Sequence, residues 1–141
     1  MYYLTTEQSF DSAHFLKDYE GKCRNIHGHR WKVSIELCSP DVEADGPKKG
    51  MIVDFGDVKR ALKELCDHLD HCLIYESGSL KPATVAALDS ENFRMVEVDF
   101  VPTAENFSRY FYEQMKQLGF PVHRASVYET PNNCAAYEEK E

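Results

Sequence analysis

The sequence predicts an α+β domain, an antiparallel sheet of four strands with two helices on one face. Three observations predict it. The chain opens and closes on segments that alternate polar and apolar residues, the period of a half-buried strand. Between them lie two segments whose apolar residues recur every three or four positions, the period of an amphipathic helix. The resulting order is strand-strand-helix-helix-strand-strand, and elements segregated in this way pack as a sheet with its helices on one side.

Residues 2–14 form the first predicted strand, with Phe10, Ser12 and His14 on one face. Residues 29–38 form the second, where Trp31, Val33, Ile35 and Leu37 alternate with Arg30, Lys32, Ser34 and Glu36. The acidic stretch 39–47 contains Pro40, Gly46 and Pro47 and reads as a loop. Asp54 is placed to cap a helix, with Asp57 in its first turn. Val58, Ala61, Leu62, Leu65, Cys66 and Leu69 make its buried stripe. Residues 76–91 carry no clear period and read mostly as loop, with a short extra strand within 93–100. Thr103 caps the second helix after Pro102, and Glu105 sits in its first turn. Its apolar face is Phe107, Phe111, Met115 and Leu118, and Gly119 is its stop. Strands near 121–130 and 134–138 finish the chain. With no repeat or linker, residues 1–141 read as a single domain. So small a sheet has two open edges, which proteins often pair between subunits, so a homo-oligomer is expected.

Composition narrows the function. The formal net charge of −8 argues against general nucleic-acid binding, which needs a basic face. No segment approaches the length of a membrane span, and Met1–Glu7 lacks the basic start and apolar run of a secretory signal. The five cysteines are odd in number and form no Cys-x-x-Cys pair, so they read as free thiols of a cytoplasmic protein. One small anionic ligand is still compatible with the charge. Lys22, Arg24, Arg30 and Lys32 flank the histidine-rich segment and either make the local field positive or are ordinary solvated charges.

The chemistry is densest in Cys23-Arg24-Asn25-Ile26-His27-Gly28-His29. His27 and His29 share parity with Trp31 and continue the inner face of the second strand. Two imidazoles on one strand face stand about 6–7 Å apart along the backbone and can converge on one metal ion. His14, inward on the first strand, is the best third ligand. Three neutral imidazoles with an open fourth position are what a catalytic zinc ion needs. Cys23 is a candidate base or nucleophile, and a candidate fourth ligand. Asp70-His71, at the end of the first helix, reads either as an acid/base relay or as a polar C-terminal turn. Neighbours on a helix do not readily bond side chain to side chain, so each is expected to face a different partner. His68 reads as a solvated flank and His123 has no cluster around it. Glu129, after an alternating strand, is either a solvated end residue or a carboxylate able to take two N–H donors from an aminopyrimidine ring. Glu105 is accounted for as a helix-start acid.

Taken together these residues resemble the 6-pyruvoyl-tetrahydropterin synthase/6-carboxy-tetrahydropterin synthase family. The resemblance spans nearly the whole chain. It runs through Phe10–His14, Cys23–His29, Gly50–Phe55, Leu69–His71, Pro102–Asn106 and Glu129-Thr130. It implies a tunnelling fold (T-fold), with trimers closing barrels, two trimers stacking as a homohexamer, and active sites between subunits. It implies His14, His27 and His29 as zinc ligands and Cys23 as the general base. Asp70 and His71 would be relay partners from a neighbouring subunit. Glu129 would anchor the pterin ring and join proton transfer, and Thr103 and Glu105 would contact substrate. Three residues separate Cys23 from His27, as in the bacterial carboxy-forming members of the 7-deazaguanine (queuosine) pathway. The implied reaction converts 7,8-dihydroneopterin triphosphate to 6-carboxy-5,6,7,8-tetrahydropterin with loss of acetaldehyde and triphosphate. The rivals are pyruvoyl formation at the same site, a non-catalytic pterin- or metal-binding module, and a structural zinc protein. Two features depart from the family pattern: Cys72–Tyr75 after Asp70-His71, and a longer 76–101 segment than in compact members.

Overall fold

A computed structural model describes residues 1–140. In chain order the elements are β1 (Tyr2–His14), a 3₁₀ turn (Lys22–Arg24), β2 (His27–Ser39), α1 (Phe55–Leu69), β3 (Leu73–Glu76), α2 (Pro82–Ser90), β4 (Met95–Val98), α3 (Ala104–Gln117), β5 (Val122–Thr130) and β6 (Asn133–Tyr137). The α+β class holds, and so do both long helices. Asp54 accepts the Gly56 N–H at 2.7 Å and Thr103 accepts the Asn106 N–H at 3.2 Å, as their capping positions predict.

The sheet is larger than predicted. It has six strands in the order β4-β3-β1-β2-β5-β6. The four expected strands form its antiparallel part; the unexpected β3, and β4, the short extra strand expected within 93–100, extend it in parallel beyond β1. The stretch 76–91, expected to be mostly loop, contains α2, so the helices number three among the described residues. Both differences have one cause. β3 is only four residues long, too short to display a period. α2 buries none of its residues and so has no apolar stripe to read. Leu118, assigned to the apolar face of the second helix, is 58% exposed. It is the C-cap of α3, where Gly119 turns the chain away at φ 94°.

The core lies between one sheet face and helices α1 and α3. Phe10, Trp31, Val33, Ile35, Leu37, Ala125 and Val127 line that face. Val58, Leu62, Leu69, Phe107, Phe111 and Met115 meet them from the helices. Burial pushes the Cys66 thiol up to about 12, in keeping with an inert core residue on the α1 stripe. Trp31, fully buried, stacks on Phe10 at 6.0 Å and meets Phe107 edge-on at 4.9 Å. On its other side it touches the rings of His14 and His29, at 4.9 and 5.3 Å. The apolar core is therefore the floor beneath the histidines.

Candidate metal centre

Register assembles the site. β1 and β2 pair so that His14 lies opposite His27 and Ser12 opposite His29. Side chains alternate across a strand, so His14 points inward with Phe10, and His27 and His29 point inward with Trp31. On β5, Glu129 shares parity with the buried Ala125 and Val127. The three strands thus bring four side chains to one end of the core. Ring centroids lie 4.6 Å apart for His14–His27, 5.1 Å for His14–His29 and 4.9 Å for His27–His29. One donor atom each from His14, His27, His29 and Glu129 falls within 4.8 Å of the others.

The hydrogen bonding orients these donors. His14 Nδ1 is 2.7 Å from the Pro102 carbonyl oxygen, and His27 Nδ1 is 2.7 Å from that of Asn25. A carbonyl only accepts, so both Nδ1 atoms carry the proton and both Nε2 atoms present lone pairs. The Nε2 atoms of His14, His27 and His29 are buried without a hydrogen-bond partner. Glu129 Oε1 is 3.0 Å from His29 Nε2 but off the line of a hydrogen bond. Three buried, unpartnered ring nitrogens facing one another beside a carboxylate, two of them lone pairs, would be costly in isolation. A divalent cation resolves that cost, and imidazoles backed by carbonyls are the usual support for one. The residues present therefore fit a metal ion.

Burial holds the His14 and His29 imidazoles below their ordinary pKa, because the charged ring would lose its water. The unfolded chain then binds protons below about pH 6.5 that the folded rings refuse. Stability of the metal-free protein from these two residues is full above that pH and declines as pH falls toward the lowered values. Urea midpoints of chelated protein at pH 7.5 and 5.5 are expected to show this loss, and a His14→Gln variant should lose less.

Other predicted site residues fall into separate places. Cys23 stands half-buried on the 3₁₀ turn and is not one of the four grouped donors. The fourth grouped donor is Glu129, not Cys23, which the sequence offered as one candidate fourth ligand. Asp70 caps the C-terminus of α1, and His71 follows in a left-handed conformation at φ 53°. That turn overturns the expectation of different partners: His71 Nδ1 is 2.8 Å from Asp70 Oδ2. Helix geometry no longer applies past Leu69, so adjacent side chains can meet. A left-handed non-glycine residue costs about 1–2 kcal/mol. Here it is tied down, since Asp70 Oδ1 accepts the Asp11 N–H at 2.8 Å and His71 N–H donates to the Asp11 carbonyl at 2.6 Å. The Asp11 N–H bond leads the causes holding the Asp70 carboxyl below the usual range. Asp11 alternates with the inward Phe10 and Ser12, so this pair sits across β1 from the histidines, and His71 is 79% exposed. Within one chain the structure does not bring it to the metal centre.

Thr103 spends its hydroxyl as acceptor in the α3 cap, while Glu105 and Glu129 border one cleft of about 450 Å³ with Asn133–Ala136. Sequence reasoning missed Asp11 and the carbonyls of Asn25 and Pro102. Asn25, two residues before His27, could have been suspected; Pro102 reaches His14 only through the fold.

A family model described as 6-pyruvoyl tetrahydropterin synthase matches residues 3–140. The chain belongs to that family. Its relatives include a 6-carboxy-5,6,7,8-tetrahydropterin synthase of Haemophilus influenzae, 35% identical over 99% of this chain and 100% of the relative. A protein of the same description from Synechocystis is 30% identical over 97% of this chain and 93% of its own. Among solved structures, an uncharacterized protein of Wolinella succinogenes superposes with a TM-score of 0.83 at 22% identity, covering 99% of this chain and 98% of that one. The 6-pyruvoyl tetrahydropterin synthase of Caenorhabditis elegans gives 0.66 at 25% identity over the same shares. The fold of this family member is the T-fold.

Proposed function

We propose that this chain takes up 7,8-dihydroneopterin triphosphate and water and forms 6-carboxy-5,6,7,8-tetrahydropterin, acetaldehyde and triphosphate, as a cytoplasmic step of queuosine biosynthesis. The observation that carries the proposal is the group of three buried, unpaired Nε2 atoms, two of them locked as lone-pair donors. That donor set suits zinc held by His14, His27 and His29. Bound there, zinc would supply Lewis-acid polarisation of the substrate's side-chain oxygens and stabilise charge building on them. The names of the Haemophilus and Synechocystis relatives and the short Cys23-to-His27 spacing support the carboxy product.

In this reading Cys23 removes a carbon-bound proton from the substrate side chain, and the Asp70–His71 pair holds and returns protons. Asp70 fixes the His71 ring through its Oδ2. Glu129 accepts N–H donors from the pterin ring along the cleft it shares with Glu105, and Thr103 borders substrate at the start of α3. The pair lies across β1 from the histidines, which supports a homohexamer in which a neighbouring subunit supplies it. The open sheet edges on β4 and β6 are compatible with such assembly. The free cysteines fit a reducing compartment, and no helix among the described residues is long and apolar enough to cross a membrane.

Pyruvoyl formation is the second reading, favoured by the description of the matching family model. Zinc-loaded protein incubated with 7,8-dihydroneopterin triphosphate separates the two by mass spectrometry. 6-Carboxy-tetrahydropterin with acetaldehyde is the expected result. A pyruvoyl product would keep the site and change the pathway; no turnover with zinc bound would leave a binding module.

A further inference from the structure

Arg94, the residue before β4, reaches back to the end of α1. Its Nη1 donates to the Asp70 carbonyl at 2.6 Å and its Nη2 to the His68 carbonyl at 2.5 Å. These are carbonyls that a helix C-terminus leaves without partners, and a guanidinium fork is suited to bridging two of them. The same residue's own carbonyl accepts the Leu73 N–H at 3.1 Å. Arg94 therefore grips the chain on both sides of His71, whose left-handed backbone needs support from its surroundings. On the opposite side the bonds to Asp11 complete the grip. We infer that Arg94 is a positioning residue that holds the Asp70–His71 pair in its left-handed turn.

The placement of β3 and β4 is what brings Arg94 to this point. β3 touches β1 through the single partnership Ala13–Leu73, and β4 pairs with β3 beginning at Leu73–Met95. That arrangement sets Arg94 beside the end of α1. Its catalytic consequence rests on the relay role proposed above for Asp70 and His71; its structural content does not.

Two readouts keep these apart. In Arg94→Ala, amide hydrogen exchange at Asp11 and His71 is expected to quicken by about tenfold or more, while exchange in α3 stays unchanged. Unchanged exchange at Asp11 and His71 would overturn the inference whatever the enzyme does. In turnover, Arg94→Ala should lower kcat by about 10–100-fold with KM and zinc content little altered. Arg94→Lys, which keeps the charge but cannot fork, should recover only part of that and serves if the alanine variant folds poorly. The double variant Arg94→Ala/His71→Ala should be no slower than His71→Ala alone. A full multiplicative loss in the double variant would overturn the positioning role. If the unaltered protein turns nothing over, the proposed reaction fails and the exchange result still decides the role of Arg94.

Discussion

Cys23→Ala is expected to lower turnover by about 10²–10⁴-fold, the range for removing a general base, while zinc content stays unchanged. The two halves of that result have separate physical causes. The Cys23 thiol lies outside the four grouped donors, so its removal leaves the metal's ligands and their carbonyl supports in place. It is only half-buried on a short turn, so truncation opens no large core cavity and stability should change little. Kinetics on the triphosphate substrate and elemental analysis of the same preparation check both halves. Loss of zinc along with activity would make Cys23 a ligand and overturn the base assignment. Unimpaired turnover would end its catalytic role altogether.

His27→Ala is expected to weaken zinc binding by about two to three orders of magnitude. Structural zinc sites bind with roughly 10–16 kcal/mol, so losing one of a few ligands costs several kcal/mol. The metal-free protein should respond differently. In it the His27 Nε2 is a buried lone pair without a hydrogen-bond partner, so its removal relieves an unfavourable arrangement. Thermal melts of chelated protein should therefore differ little between the variant and the unaltered chain. Added zinc should raise the melting temperature of the unaltered chain strongly and of His27→Ala weakly, because a ligand stabilises in proportion to the logarithm of its excess over Kd. Equal shifts in both would sink the metal centre. A collapse of the chelated variant would instead mark His27 as a packing residue.

Residues that declare themselves through local periodicity are legible in the sequence. The alternation from Trp31 to Leu37 extends backward to His29 and His27, and that alone aims both imidazoles at the core. The parity of Phe10, Ser12 and His14 does the same for the third. Caps at Asp54 and Thr103 are equally local, since each bonds within three residues of itself. β3 and α2 are not legible in this way, because a four-residue strand and a helix without an apolar stripe carry no period, whereas β4 falls within the short extra strand expected at 93–100. Nor is the meeting of Asp70 with His71, which depends on one backbone angle that Asp11 and Arg94 hold from 59 and 24 residues away in sequence.

By itself, then, the sequence determined which side chains face inward, where the long helices begin and which family the chain resembles. All of these follow from interactions between residues a few positions apart, or from motifs read in order. Only the tertiary structure decided that His14 lies opposite His27, that Pro102 and Asn25 lock two of the rings, and that Glu129 completes the donor group. It alone set Asp70 and His71 across β1 from that group. Each of these depends on strand register and on contacts between distant segments, which local periodicity does not encode.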